Sequence, residues 1–267
     1  MQDDDQYDLE FEVFKKDVKN IIGVDLNQYK PSQMKRRIKS FISKYNFKNL
    51  KEFVNVLRQD ESVLFTFKDY ITINVTEFFR NAEKFEELRL KIIPGLISNA
   101  KGKGKSDLKI WSAGCSTGAE AYSTAIIMDA YFPGQNYSIL ATDIDVNIVK
   151  NAKIGEYKDI EVKNVNTKIM EKYFEVQGSK YKIKEFVKKN VKFTLNNLLE
   201  DQFSSGFDLI MCRNVVIYFT EEAKELLYKK FYNALTEKGV LFIGGTESIL
   251  NAKQIGFSMN NNLFYYK

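Results

Sequence analysis

The chain has 267 residues, 44% hydrophobic and 28% charged, a balance that fits a soluble globular protein with room for one large domain or a small one plus a medium one. No apolar run approaches the roughly 20 residues a membrane span needs, and Met1 to Glu10 is acidic and polar, unlike a signal or transit peptide. The 40 basic and 35 acidic residues leave a formal charge of +5, too mild to identify a nucleic-acid ligand, and the absence of histidine excludes Ser-His and Cys-His nucleophiles, histidine bases and the common histidine metal sites.

The first part of the chain reads as helices. Phe11, Phe14, Val18, Ile21 and Ile22 recur at helical spacing. After Pro31 and Ser32, the residues Met34, Ile38, Phe41 and Tyr45 form a second inward stripe. On that helix Lys35, Arg36 and Lys39 fall on the exposed side and Arg37 at the flank. Leu50, Phe53, Val54 and Leu57 mark a third helix, and Val63, Leu64, Phe67, Tyr70 and Ile71 a fourth, capped by Asp60. A polar stretch, Thr72 to Arg80, separates this bundle from a helix carrying Phe85, Leu88, Ile92 and Leu96, which Pro94 bends or ends. The run Lys101 to Lys105 is a charged linker.

Beyond it the period changes. Strands are predicted at Leu108 to Trp111, Tyr137 to Ala141, Val191 to Leu195, Phe207 to Met211, Val240 to Ile243 and Asn262 to Lys267. Helices are predicted at Glu120 to Tyr131, Val146 to Ala152 and Glu221 to Leu235, the last with Ala223, Leu226, Leu227, Phe231 and Leu235 on one face. Such alternation implies a largely parallel sheet with helices on both faces and ligands beyond the carboxyl ends of its strands. Between Tyr157 and Val191 a helical stretch around Ile169 to Phe174 and a hairpin turning at Gly178 and Ser179, with Tyr181, Ile183 and Phe186 on one side, form an insertion at the sheet edge.

The chemistry gathers at strand ends. The first strand runs into Ser112-Ala113-Gly114-Cys115-Ser116-Thr117-Gly118, where glycines let backbone approach a ligand closely. This is not the G-x-G-x-x-G fingerprint, and a tight turn of any α/β protein is the alternative. The second strand ends in Thr142-Asp143-Ile144-Asp145. Asp143 suits a ribose and Asp145 a helix cap. Glycine turn plus acidic strand end indicates a nucleoside cofactor without separating NAD from S-adenosylmethionine. Cys115 and Cys212 close the first and fourth strands, which are neighbours in the usual order. Both thiols are expected unpaired, beside the cofactor pocket or as ordinary buried residues, as in a reducing cytoplasm.

Four segments carry a resemblance. They are Thr72-Ile73-Asn74-Val75-Thr76-Glu77-Phe78-Phe79-Arg80, Trp111 to Tyr122, Thr142 to Val146, and Cys212-Arg213-Asn214-Val215-Val216-Ile217-Tyr218-Phe219. In this order they resemble the CheR family of chemotaxis receptor methyltransferases, nearly end to end and through Gly244-Gly245-Thr246-Glu247-Ser248. The resemblance implies an α/β architecture: an all-helical N-terminal domain (1–75), a linker helix (76–105), and a class I, Rossmann-like methyltransferase domain (106–267) with a small antiparallel β insertion at about 158–191. It implies S-adenosylmethionine as cofactor and S-adenosylhomocysteine as product. The methyl acceptors would be glutamates on the cytoplasmic helices of chemotaxis receptors.

By resemblance the cofactor is held by Asn74, Thr76, Arg80, Gly114, Glu120 (at the amino group of its methionine part), Asp143 (at the ribose), Asn197 and Leu198 (at the adenine), Cys212 and Arg213. Arg80 and Tyr218 stand nearest the transferred methyl, and Lys35, Arg36, Arg37 and Lys39 receive the acidic receptor helix. A domain-bridging ion pair is the alternative for Arg80, a strand-end aromatic cluster with Phe219 for Tyr218, and a solvated face for the basic helix. The chain departs from many members in lacking histidine after Arg80, where it reads Asn81-Ala82-Glu83-Lys84-Phe85, and in having Gly245 where they have histidine. Its hairpin at Gly178 is short, which favours an enzyme independent of a receptor tether. A cytoplasmic monomer, with no nucleic-acid partner and no metal, is expected. The rival readings are a methyltransferase for another acceptor, a non-catalytic S-adenosylmethionine-sensing module and an NAD oxidoreductase. The absence of an Asn/Asp-Pro-Pro-Tyr motif argues against base-amino methylation.

Overall fold

The structure of the chain is a computed structural model that describes residues 2–72, 76–261 and 263–267. Two compact units divide it, Met1–Ile73 with Tyr218–Lys224, and Asn74–Ile217 with Glu225–Lys267.

The first unit is built on α1 (Gln2–Ile22), α2 (Pro31–Lys44), α3 (Leu50–Gln59) and α4 (Glu61–Thr72). Their starts follow local chemistry. Pro31 opens α2, where a missing N–H costs nothing. The Asn49 side chain accepts the Glu52 N–H at the head of α3, and Asp60 accepts from Ser62 and Val63 at the head of α4, as expected. Each helix sends phenylalanine into a common core, α1 both Phe11 and Phe14. Phe14 meets Phe53 at 5.9 Å between ring centroids, Phe41 meets Phe67 at 5.2 Å, and Phe53 meets Phe67 edge-on at 4.9 Å. Such aromatic pairs add about 0.5–1.5 kcal/mol each beyond the area they bury. Met34, Ile38 and Phe41 are buried as the stripe on α2 predicts, but Tyr45 is not part of the core. It caps the helix and stays 39% exposed, its ring 4.5 Å from Phe41. The segment Tyr218–Lys224 joins this unit through two backbone bonds, Lys30 N–H to Tyr218 O at 2.9 Å and Thr220 N–H to Gln28 O at 2.9 Å, and through Tyr29 standing edge-on to Phe219.

The second unit opens with one helical run, α5 (Ala82–Glu87), a π-helical turn (Leu88–Ile92) and α6 (Ile93–Gly102). Pro94 does not end it. It occupies the first turn of α6, where the widened turn before it absorbs the missing donor, and the helix runs on into the expected linker as far as Gly102. Then follow β1 (Asp107–Ala113), α7 (Ala119–Tyr131), β2 (Asn136–Asp143), α8 (Val146–Ile154), β3 (Glu156–Lys158), α9 (Asp159–Val162), α10 (Thr167–Tyr173), β4 (Phe174–Gln177), β5 (Lys180–Ile183), α11 (Glu185–Lys188), β6 (Val191–Leu195), β7 (Phe207–Cys212), α12 (Glu221–Ala234), β8 (Leu235–Ile243), α13 (Ala252–Ile255), β9 (Ser258–Asn261) and β10 (Phe264–Tyr266).

The main sheet has the order β6-β2-β1-β7-β8-β10-β9. Its first five strands are parallel, and β10 returns antiparallel to β8. All six residues of β7 are buried, which requires cover on both faces of the sheet. Strand order reverses between β1 and β7. That reversal is the switch point at which the carboxyl ends of an open α/β sheet diverge and leave a crevice.

Further sequence expectations are corrected by the structure. Leu226 does not share the buried face of α12 but is 64% exposed, and Leu235 begins β8 rather than ending the helix. The insertion is a three-stranded sheet, β3-β5-β4, that starts at Glu156, and Phe186 lies in the short α11 rather than in the hairpin. A further strand, β9, precedes the C-terminal one.

Candidate functional site

The crevice is lined by the loops that follow β1, β2, β6 and β7. The first of these, Gly114 to Gly118, is a tight turn with Gly114 at φ +77° and Gly118 at φ +87°. Gly114 and Cys115 both donate to Thr142 O at 2.8 Å, tying the turn to β2. A Cβ on Gly114 would come within 2.5 Å of Val215 Cγ2, and one on Gly118 within 2.8 Å of the Phe193 ring. Both positions therefore combine a left-handed backbone with close neighbours. We expect Gly118→Ala to lower stability by about 2–3 kcal/mol, from left-handed strain plus overpacking, measurable as a shift of the urea midpoint with unchanged slope.

Asp143, at the end of β2, points its carboxylate at the same turn. Its Oδ2 accepts the Ser116 N–H at 2.9 Å and its Oδ1 the Asp145 N–H at 3.1 Å. A carboxylate offers about four acceptor positions, so capacity remains for a vicinal diol. Burial raises its pKa above the usual carboxylate value, against the pull of these backbone donors. Asp145 does cap α8, accepting from Asn147 and Ile148. The loop after β6 abuts this corner. Asn196 N–H donates to Asp143 O at 3.0 Å, and Asp201 organises the turn by accepting the Asn197 N–H at 2.8 Å. Leu198 is buried there, and Lys230 Nζ on α12 holds its carbonyl at 2.8 Å.

Across the Gly114 turn stands Glu120, in the first turn of α7. Its Oε1 accepts from Ser112 Oγ at 2.7 Å, and its Oε2 lies 3.3 Å from Arg213 Nη1. Arg213 follows β7, and Arg80 is near enough in the same unit for its charge to bear on the Arg213 guanidinium. Cys212 ends β7, and Cys115 lies two residues beyond the end of its hydrogen-bonded neighbour β1. Both are free and buried, and burial pushes both thiols well above their ordinary pKa. Cys212 is fully buried and the Arg213 side chain is 2% exposed.

Asn74 lies outside the described residues. Thr76 is half-buried, and Thr76, Arg80, Gly114, Glu120, Asp143, Asn197, Leu198, Cys212 and Arg213 all fall in one unit. Tyr218 belongs to the other, with Lys35, Arg36, Arg37 and Lys39. Of those four cations, Lys35 pairs with Asp8 at 2.6 Å, Arg37 donates to Tyr70 O and lies over its ring, and Lys39 sits 4.1 Å from the Tyr7 ring centroid. Arg36 is exposed.

Two polar atoms went unnoticed in the sequence. Ser116 Oγ and Asn196 Oδ1 are buried without a hydrogen-bond partner among the described residues, one in the β1 loop and one in the β6 loop. A buried polar atom left unpaired is costly and calls for a ligand or water. Ser116 stood inside the glycine turn that drew attention, so the signal was present; Asn196 acquires its meaning only beside Asp143.

The site fits a nucleoside bearing an amino acid. It has a glycine cradle closed to any side chain, a carboxylate with free acceptor positions at one end and a second carboxylate at the other, with orphaned polar atoms on the nucleoside side.

Comparison with known proteins gives the following. Residues 74–263 match the family model described as CheR methyltransferase, SAM binding domain, and residues 9–72 match CheR methyltransferase, all-alpha domain. The chain is 44% identical over 254 residues to a protein of Listeria innocua named chemotaxis protein methyltransferase, with 95% of each chain covered. It is 42% identical to one of the same name from Listeria monocytogenes, again over 95% of each chain. Identity to one from Borreliella burgdorferi is 35%, over 91% of this chain and 89% of that one.

Proposed function

The chain belongs to the CheR methyltransferase family and uses S-adenosylmethionine, and from that premise we propose that it methylates glutamate side chains of chemotaxis receptors, forming methyl esters in sensory adaptation. The observation that carries this reading is the Gly114 turn with Asp143 on one side and Glu120 on the other, within a match that spans both units.

The cofactor supplies a methyl already activated by a sulfonium whose leaving group is a neutral thioether. An acceptor glutamate is ionised near neutral pH, since its reference pKa is about 4.3, and needs no general base. This agrees with a chain that has no histidine. The work left to the protein is alignment and removal of water, which supplies roughly 7–11 kcal/mol in well-oriented reactions. In this proposal Glu120 receives the ammonium of the methionine part and Asp143 the ribose hydroxyls. Asn74, Thr76 and the backbone at Gly114, Cys212 and Arg213 line the pocket, and Asn197 and Leu198 flank the adenine. Arg80 holds a carboxylate beside the methyl, and Tyr218 donates a hydrogen bond to the accepting glutamate. The cations of α2 attract the acidic receptor helix. Arg36 is exposed, as is Lys39, so removal of Arg36 acts on association rate and salt sensitivity more than on turnover.

The test is calorimetric titration with S-adenosylhomocysteine, followed by incubation with methyl-labelled S-adenosylmethionine and receptor cytoplasmic fragments. One-to-one binding and label released as methanol by mild base are expected. Base-stable label would assign another acceptor. Binding with no label transferred to any receptor fragment would assign a sensing module, and absence of binding would remove the methyltransferase reading.

A further inference from the structure

The Arg213 guanidinium is enclosed. Its Nη1 faces Glu120 Oε2 at 3.3 Å, and its Nη2 donates to Arg80 O at 2.8 Å and to Asn81 Oδ1 at 2.9 Å. Phe242 and Phe85 stack against it, with centroids 4.5 and 5.3 Å from Cζ. Its side chain is 2% exposed, and its Nε is buried without a hydrogen-bond partner among the described residues. Elements far apart in sequence meet on this one side chain: the first turn of α7, the segment before α5, α5 itself and the strand β8.

The segment it grips is unusual. Phe79 has φ +51° and Asn81 φ +62°, so Arg80 stands between two non-glycine residues in left-handed backbone. Side-chain residues rarely adopt that conformation, and it persists only where the surroundings over-determine it. Here Phe78 N–H donates to Glu161 O at 2.8 Å, Phe79 N–H to Ser123 Oγ at 3.0 Å, and Arg213 takes the next two acceptors along the chain. Burial lowers the pKa of Arg213, Glu120 opposes this, and the charge of Arg80 adds to the lowering.

We infer that Arg213 is a positioning residue that fixes the Arg80–Asn81 backbone against Glu120, so that the residue assigned to the transferred methyl and the carboxylate assigned to the cofactor ammonium are set by one guanidinium. The inference rests on the proposed function. It changes the expected role of Arg213 from cofactor contact to a group acting through its neighbours. The planar fork is what the role requires. A lysine at 213 keeps a charge near Glu120 but cannot hold Arg80 O and Asn81 Oδ1 along one edge.

Asn81 provides the cleaner test, because it is exposed and its left-handed backbone suits glycine and tolerates aspartate. Asn81→Gly removes one acceptor of Arg213, and Asn81→Asp keeps it. With wild-type esterification of a receptor fragment established first, kcat and KM are measured at saturating S-adenosylmethionine, alongside the Kd of S-adenosylhomocysteine. Asn81→Gly is expected to lower kcat about 10-fold and Arg213→Lys about 100-fold, the size of effect that a small misplacement of a reacting group produces. Asn81→Gly keeps the Kd within about 3-fold, and Asn81→Asp restores kcat to near wild type. Unchanged kcat in Asn81→Gly, or no rescue by Asn81→Asp, would overturn the inference. So would an Arg213→Lys protein that binds S-adenosylhomocysteine as poorly as Asp143→Ala yet turns over normally at saturation, because Arg213 would then be a direct ligand. Should Arg213→Lys not fold, the two Asn81 variants decide. Failure of the underlying functional reading shows in the wild type, as absence of binding or of ester, before any variant is made.

Discussion

Asp143→Ala is expected to weaken S-adenosylhomocysteine binding about 100-fold, with the stability of the apoprotein changed far less. Hydrogen bonds to an ionised group are worth about 1.5–3 kcal/mol each, so losing two ribose hydroxyls reaches that size. Loss of the carboxylate also releases the Ser116 N–H and the Asp145 N–H, which loosens the Gly114 turn on which the ligand lies. Against this, burial disfavours the charged carboxylate, so its removal relieves a desolvation cost and the fold loses little. The control is Asp145→Ala, two residues on. That side chain caps α8, and its loss costs about 1 kcal/mol of stability with binding nearly unaltered. Calorimetric titration of both variants with thermal unfolding separates the roles. An Asp143→Ala protein that binds within about 3-fold of wild type would make Asp143 a loop staple only.

Glu120→Gln is expected to damage both properties. It preserves shape and the acceptor for Ser112 Oγ, but it strips the charge from the pair with Arg213, whose side chain is 2% exposed. Breaking a buried ion pair by removing one partner costs about 3–5 kcal/mol when a charge is stranded. The amide oxygen still accepts from the guanidinium, and Glu247 also acts on it, so about 2–3 kcal/mol is expected, read as a fall of several degrees in Tm. Affinity for S-adenosylhomocysteine should drop by about 100-fold as well, because a charge-assisted bond to the ammonium becomes a neutral one. Loss of stability with intact affinity would assign Glu120 to the Arg213 framework alone.

Much of the architecture was legible because its signals are local. Helix caps at Asp60 and Asp145, the apolar stripes of α1 to α4, and the change of period after the linker each lie within a few residues of chain. The Gly114 to Gly118 turn and Asp143 were found the same way, as strand ends in a parallel sheet. The misreadings have equally local causes. Leu226 is apolar and falls near the inward stripe of α12, yet lies just past its edge, and periodicity cannot tell a buried flank from an exposed one. Phe186 continued an alternation that the chain breaks with the short helix α11. Pro94, expected to bend or end its helix, does not end it, because it sits in the first turn of α6 directly after a π-helical turn.

The linear order of residues carries the resemblance that implies the family and its cofactor, shows a chain without histidine, and places the glycine turn and Asp143 at strand ends through residue types at short spacing. Tertiary structure alone decided the partners. Arg213 meets Glu120 from 93 positions away and Arg80 O and Asn81 Oδ1 from more than 130, beside the left-handed backbone of Phe79 and Asn81. A buried charge must find its counterion and its hydrogen bonds wherever the folded chain offers them, and no periodicity or turn motif records that choice.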